Sequence, residues 1–424
     1  MSDWSIANVR LIDPASDYDG PGGLRVKDGV IAEVWRGSGH EVFDCVDGQG
    51  LCLAPGLIDI RVKTGEPGAE PKETLKSAAQ SAAAGGVTTL VIQPSTAPTL
   101  DDPAMIDFIQ RRGAALELVN VHVAGAATRG LDGERMAEIG LMHEAGALYF
   151  SDGDRPMKNS RTLMRVMQYA AGFNAMIACR PADPWLTDGA VASSGELATR
   201  LGLTSAPAIA ERMQLERDLA LVEQTGVRFL IDQISTAEAL EVLARARAKG
   251  LEVFASASIN HLCFNEVDVG DYRTFYRLDP PLRPENDRRA LVEAVRDGLI
   301  DAITSAHAPE PAEDKRRPFA EAAPGAVGLE TLLPAALTLH HVEGLELLDV
   351  MRPLTAGPAA VLGLPGGRLA AGAPADLVLF DPGAPQKIDA DKLRSKSKNS
   401  PFDGRRLQGK VAGVWVGGRQ VHSA

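Results

Sequence analysis

At 424 residues the chain is longer than one small domain, and a barrel with one accessory domain would account for it. A hydrophobic fraction of 45% and a charged fraction of 24% are those of an ordinary soluble globular protein, while a net charge of −12 argues against a general nucleic-acid binder, which carries a basic footprint. No apolar run approaches the ~20 residues that span a bilayer, and the opening MSDWSIANVR lacks the layout of a signal peptide. Cys45, Cys52, Cys179 and Cys263 have no CxxC spacing and read as reduced thiols of a cytoplasmic protein.

The first elements are short strands with tight turns: WSIANVRLID, GGLRVKDGVIAEVW and HEVFDCVDGQG, with KDG as a hairpin signal. From residue 54 the texture changes to short apolar runs, each followed in most cases by an Ala-rich amphipathic stretch. In order they are GLIDIRV, TTLVIQPS, ELVNVHVAGA, GALYFSD, NAMIACR, VRFLIDQIS, LEVFASAS and LIDAITSAHA. Eight β-then-α units predict an α/β fold, a (β/α)8 barrel over residues 54–365. Strand texture returns in GAPADLVLFDP and LQGKVAGVWVGGRQVH, so residues 1–53 and 366–424 are expected to form a composite β-sandwich. The stretch DADKLRSKSKNSPFDG reads as a surface loop with solvated charges, and the glycines of AAAGGVTT as a helix C-cap.

In such a barrel the working residues sit at the C-terminal ends of the strands. The first such end is Arg61-Val62-Lys63, and strand alternation puts positions 61 and 63 on one face. A His-x-His pair there would grip a divalent metal; a guanidinium has no lone pair to offer, and an ammonium has one only when deprotonated.

Here the sequence resembles the type I dihydroorotases of the cyclic amidohydrolase superfamily. The resemblance is carried in order by APGLIDIRVKTGEPGAEPKET, AAAGGVTTLVIQPSTAP, YFSDGDRP, QISTAEAL, DPPLR, IDAITSAHAPE, PGAVGLETLLP, GAPADLVLFDP and NSPFDGRRLQGKV. It implies a zinc-dependent amidohydrolase barrel of pyrimidine synthesis. Carried over by position, Arg61 and Lys63 stand where the first two metal-binding histidines would be, Gly65 where an arginine grips the substrate carboxylate, and Ser95 where an asparagine binds substrate. Asp152 matches an aspartate that coordinates metal in part of the family. Cys179 and Gln233 replace the third and fourth histidines, with the register around Cys179 open by one residue. Ala306 takes the place of the aspartate that is ligand and general base, Glu310 that of a substrate-side histidine, and His307 is kept.

Zinc-assisted hydrolysis needs several imidazoles or carboxylates on the ion and a base for the attacking water. With so many replaced together, no zinc and no catalytic residues are expected, and the resemblance implies a pseudo-dihydroorotase that supports the aspartate transcarbamoylase catalytic chain in an oligomer. Two alternatives stay open. One is an active cyclic amidohydrolase with a degenerate or single-metal site, rebuilt from Asp152, Cys179, Asp232 and His307, although alternation can turn Asp232 from the barrel axis. The other is an anion-binding module using Arg61 and Lys63. A structural reading of the two cations is that they replace the metal's charge, and on that reading Asp152 pairs with at least one of them. His307 reads as a hydrogen-bonded barrel residue, His340 and His341 as surface, His122 as part of a strand, and His261 as a loop residue.

Overall fold

The computed structural model describes residues 3–37 and 45–423. All eight expected barrel strands form: β1 (Leu57–Val62), β2 (Val87–Ile92), β3 (Asn120–Val123, resuming as Gly125–Ala126), β4 (Phe150–Ser151), β5 (Ile177–Cys179), β6 (Phe229–Ile231), β7 (Val253–Ser258) and β8 (Ala302–Thr304). Neighbours pair in parallel. The circle closes where Val62 bridges His307 and Lys63 N donates to His307 O at 2.9 Å. The principal helices that follow are α1 (Leu75–Ala84), α2 (Pro103–Ala114), α3 (Ile139–Glu144), α4 (Ser160–Ala171), α5 (Ile209–Thr225), α6 (Ala237–Ala248), α7 (Glu285–Arg296) and α8 (Leu332–His341). No helix among the described residues is long and apolar enough to cross a membrane.

Period-2 alternation splits the strand side chains between two cores. Ile58, Ile60, Tyr149, Ala178 and Leu230 fill the barrel interior. Their neighbours Leu57, Phe150, Ile177, Cys179 and Ile231 pack outward against the helices. Helix starts follow ordinary capping chemistry: Thr74 caps α1 in a capping box with Ser77, and Thr236 caps α6. Gly85, in AAAGG, is the C-cap of α1.

The terminal strands make one hydrogen-bonded sheet of eight, from Asp3–Asp13, Tyr18–Lys27, Val30–Arg36, Cys45–Asp47 and Cys52–Pro55 together with Leu377–Lys387, Arg406–Val416 and Arg419–Ser423. The two chain ends are joined where Cys52–Pro55 runs antiparallel to Leu377–Phe380. The sheet curls over its own core, bringing Trp4 and Trp415 to 5.4 Å and Trp4 Nε1 to Gly418 O at 2.8 Å. The KDG hairpin forms, with Asp28 and Gly29 both at positive φ as a tight two-residue turn requires. Of HEVFDCVDGQG, Cys45–Asp47 pairs with Ser5–Ala7, and residues 40–44 lie outside the described residues.

One expectation is corrected. The stretch 389–404 keeps Lys392, Arg394 and Lys396 exposed, as expected, but it is not wholly a surface loop: Ser395, Ser397, Asn399 and Ser400 are buried, threaded between the loops after β1 and β8. Short polar side chains read as a loop because they seldom fill a core. Here they are buried because the neighbouring loops offer carboxylate and carbonyl oxygens for them to satisfy.

The capping box gives a direct test of the α1 frame. Thr74→Ala should lower stability by about 1 kcal/mol in urea denaturation, the usual cost of a lost N-cap, without changing the slope of the transition.

Candidate functional site

The site is built at the C-terminal ends of the barrel strands, and β1 reaches it through an irregularity. Ile58 and Ile60 face the barrel interior, so simple alternation would turn Arg61 outward. Pairing with β2 passes from Asp59↔Leu90 to Val62↔Ile92, one extra residue on β1, and this bulge resets the phase. Buried Asp59 pins it, accepting from Arg61 N at 3.1 Å and from Ser305 N at 3.2 Å. Burial pushes the Asp59 carboxyl up to about 6.

Arg61, only 2% exposed, is held between two carboxylates. Its Nε donates to Asp232 Oδ2 at 2.7 Å and its Nη2 to Asp154 Oδ1 at 2.5 Å. Lys63 Nζ binds the other oxygen of Asp154. Gln233, with its amide oxygen turned to the guanidinium, accepts from Nη1 at 2.8 Å and Nε at 3.0 Å. Ser256 Oγ donates to Asp232 Oδ1 at 3.2 Å. Beside this chain Arg180 makes a two-pronged pair with Asp279. Burial pushes Asp154 up, but Lys63, Arg61 and Arg180 outweigh it and hold the carboxyl far below the usual range. Burial likewise opposes the Arg61 charge, and Asp232 and Asp154 more than restore it.

The cations at 61 and 63 do pair with carboxylates, but not with Asp152. Asp152 accepts from Thr128 N at 2.9 Å and from Thr128 Oγ1 at 2.5 Å, anchoring the loop after β3. Gly153, at φ +63, turns the chain so that Asp154, two residues on, reaches the mouth. Burial pushes Asp152 up to about 6. Asp232 points to Arg61, not away from the axis. Cys179 faces the helix layer, its thiol pushed up by burial, and the next residue, Arg180, occupies the mouth.

His307 also turns from the mouth. Its Nδ1 accepts from Gly328 N at 3.2 Å, and its Nε2 lies 3.5 Å from Glu73 Oε2. The flanking Ala306 and Ala308 line the mouth instead. Gln233 and Ala306 share a left-handed backbone, φ +61 and +50, uncommon for such residues. Ser95 and Glu310 line an adjoining groove that shares Lys63 and Asp154 with the mouth, and there Glu310 pairs with Lys72 at 2.8 Å. Gly65 has no room for any side chain: a Cβ there would lie 1.9 Å from Ala69 O. His261 is not a loop residue but sits in a short helix, Ile259–Cys263, and burial lowers it to about 4.

Asp154, Arg180 and Asp279 were missed as site residues by sequence reasoning. The signals were present: Asp154 closes the same SDGD motif as Asp152, Arg180 continues the inward series of Met176 and Ala178, and Asp279 opens DPPLR.

Chemically, Arg61, Lys63 and Arg180 face Asp154, Asp232 and Asp279, and the charges cancel. Among the described residues no three His, Cys, Asp or Glu side chains converge as a cation cage, so the set Asp152, Cys179, Asp232 and His307 is not assembled. The donors present do not fit a zinc ion. The free volume at the centre of the mouth is about 30 Å³, enough for a water or two. Grooves of about 430 and 350 Å³ flank it, separated by Asp152, Asp154 and Arg155.

The fold, a parallel eight-stranded barrel with a sheet drawn from both termini, is that of the amidohydrolases. Residues 50–239 match the dihydro-orotase-like family and residues 225–422 the amidohydrolase family. A dihydroorotase of Anaplasma phagocytophilum is 38% identical, covering 98% of this chain and 94% of the relative. A dihydroorotase-like protein of Pseudomonas aeruginosa is 39% identical, covering 99% of each. The solved L-hydantoinase (dihydropyrimidinase) of Arthrobacter aurescens superposes with a TM-score of 0.89 at 26% identity, covering 100% of this chain and 96% of the other. The chain belongs to the dihydroorotase-like family.

Two measurements test the site. Arg61→Met should cost about 3–5 kcal/mol, because it strands Asp232 without a counter-charge. Adding Asp232→Asn should recover part of that loss, and strictly additive costs in urea denaturation would show that Arg61 only packs. A carboxyl raised on folding binds its proton more tightly in the folded state, so its ionisation subtracts stability as pH rises from about 4 to about 6. The stability of wild type relative to Asp152→Asn should therefore fall across that window, by up to about 3 kcal/mol.

Proposed function

We propose that this chain is a dihydroorotase-like protein of pyrimidine biosynthesis that does not hydrolyse cyclic amides, holds no zinc in its barrel mouth, and serves as a structural partner of the aspartate transcarbamoylase catalytic chain. The observation that carries the first part is the Lys63–Asp154–Arg61–Asp232 chain across the strand ends. It puts fixed protein cations where hydrolysis needs an ion with an open coordination position. Ala306 offers no base for the attacking water, and the closed backbone at Gly65 leaves no place for an arginine to hold a substrate carboxylate. An anion-binding role for Arg61 and Lys63 is disfavoured because both are already neutralised by Asp154 and Asp232.

The partnership rests on the resemblance to the type I family, in which catalytically silent barrels support the transcarbamoylase. The purified chain should contain far less than one equivalent of zinc and show no turnover of dihydroorotate. Stoichiometric zinc with turnover would return the chain to the enzymes. Histidines at positions 61 and 63 should not restore activity on their own, since the base and the carboxylate clamp stay absent. Mixed with the aspartate transcarbamoylase of its own organism, the chain should elute as a complex larger than either protein. A chain that stays separate at near-physiological salt removes the partner reading.

A further inference from the structure

Trp185 is the most exposed of the large apolar side chains among the described residues, at 78%. It lies in the loop between β5 and α5, on a turn that Asp183 ties down. The Asp183 carboxylate accepts from Trp185 N at 3.0 Å and from Leu186 N at 2.9 Å. Asp183 N in turn donates to Ala210 O at 3.0 Å, and Thr187 Oγ1 donates to Asp183 O at 2.7 Å. Lys158 Nζ stands 5.1 Å from the indole centroid. An indole held out in water on a fixed turn gains hydrophobic free energy when it is covered, with little ordering cost.

The residues on either side of Trp185 belong to a groove wall: Pro184, Thr187 and Asp188 line the groove of about 430 Å³. That groove, the central mouth and the groove of about 350 Å³ share Asp154, so they run together as one open trough across the strand ends. Arg155 is exposed and lines both grooves. Its side chain makes one hydrogen bond, Nη1 to Leu131 O at 3.4 Å, and no carboxylate among the described residues lies within ion-pair reach of it. Asp188 is exposed too, and its carboxylate has no partner among the described residues. The other mouth cations, Arg61, Lys63, Lys72 and Arg180, are already matched to carboxylates. Shape and charge then select an occupant. A small ligand favours a concave, mostly apolar site that covers most of its surface, whereas this trough is open and polar. A nucleic acid would set phosphates against Asp132, Glu134 and Asp188 on a chain of net charge −12. An extended protein segment, at about 3.3 Å per residue, fits such a trough and can present both signs of charge.

We propose that this trough, with Trp185 on its rim, is a protein-docking surface that takes an extended segment of a partner. The segment sets an acidic side chain on Arg155 and a basic one towards Asp188, while an apolar hollow of the partner covers Trp185. Tryptophan and arginine are among the residues that most often carry the energy of an interface. The inference rests on the partnership with aspartate transcarbamoylase proposed above, and adds where on this chain that partner binds.

The test is the affinity of the full chain for the aspartate transcarbamoylase of its own organism, measured by titration calorimetry. Trp185→Ala and Arg155→Glu should each weaken binding about tenfold or more. Asp188→Lys should weaken it as well, and slow association in stopped-flow mixing at low salt. Val342→Ala, at a position 76% exposed just beyond α8, should bind as the wild type does. All four variants should keep the wild-type midpoint in urea, and a lowered midpoint for Trp185→Ala would show that the indole serves its own fold and overturn the proposal. Wild-type binding that Trp185→Ala and Arg155→Glu both retain overturns the docking surface and leaves the partnership standing, whereas no binding by the wild type removes both. Displacement of the partner by millimolar dihydroorotate would assign the trough to a small carboxylate. Self-association of the chain that Trp185→Ala abolishes would assign it to a second copy. Either result overturns the proposal.

Discussion

A guanidinium that cannot lose its proton is buried at the end of the first barrel strand, and the mouth is arranged around it. Removing Arg61 from water is tolerable only with full charge compensation and nearly full hydrogen bonding. Asp232 supplies one carboxylate from the end of β6, Asp154 the other from the turn after β4, and Gln233 an amide oxygen. Each of these demands a local concession. The first strand carries a bulge pinned by Asp59, Gly153 turns left-handed, and Gln233 takes a positive φ. Strain of this kind persists where the surroundings over-determine it.

Compensation then spreads. Asp154 has a second oxygen, and Lys63 takes it. Arg180 adds a further cation and is balanced by Asp279 from the loop after β7. Strand ends from across the barrel are thereby cross-linked by ion pairs. The cations of this network are covalent parts of the chain, carried at the ends of β1 and β5. Space is the corollary: long basic side chains with their partners occupy the centre of the mouth, and the larger grooves lie at its rim.

Much of the architecture was legible in the chain. Eight apolar runs with intervening amphipathic stretches encode eight strands and their helices, because burial on both faces and a 3.6-residue period are local properties. Terminal strand patterns pointed to a sheet made from both ends. The inward placement of Arg61 and Lys63 was also readable, though alternation alone gave it for an incomplete reason, since the bulge does the turning. Less legible was the choice of counter-charge. Asp152 and Asp154 are two residues apart, and only the turn at Gly153 decides which one reaches the cations. In the segment around Asn399 the basic side chains are exposed as expected, while the Ser and Asn side chains look like loop residues until acceptors from distant loops surround them.

Composition, hydrophobic period and the order of motifs by themselves determined the fold class and the kinship of this chain, and the identity of residues 61, 63 and 306 is what raised the expectation that the usual ligand and base chemistry is absent. What only the tertiary structure decided is how the surviving charges are used. Which aspartate meets Arg61, that Cys179 faces the helices while Arg180 faces the mouth, and that Ser395, Ser397 and Asn399 are buried against the loops after β1 and β8 are all settled by contacts between residues far apart in sequence. Such contacts depend on backbone turns of a single residue, and a one-residue change of phase on a strand moves a side chain to the opposite face.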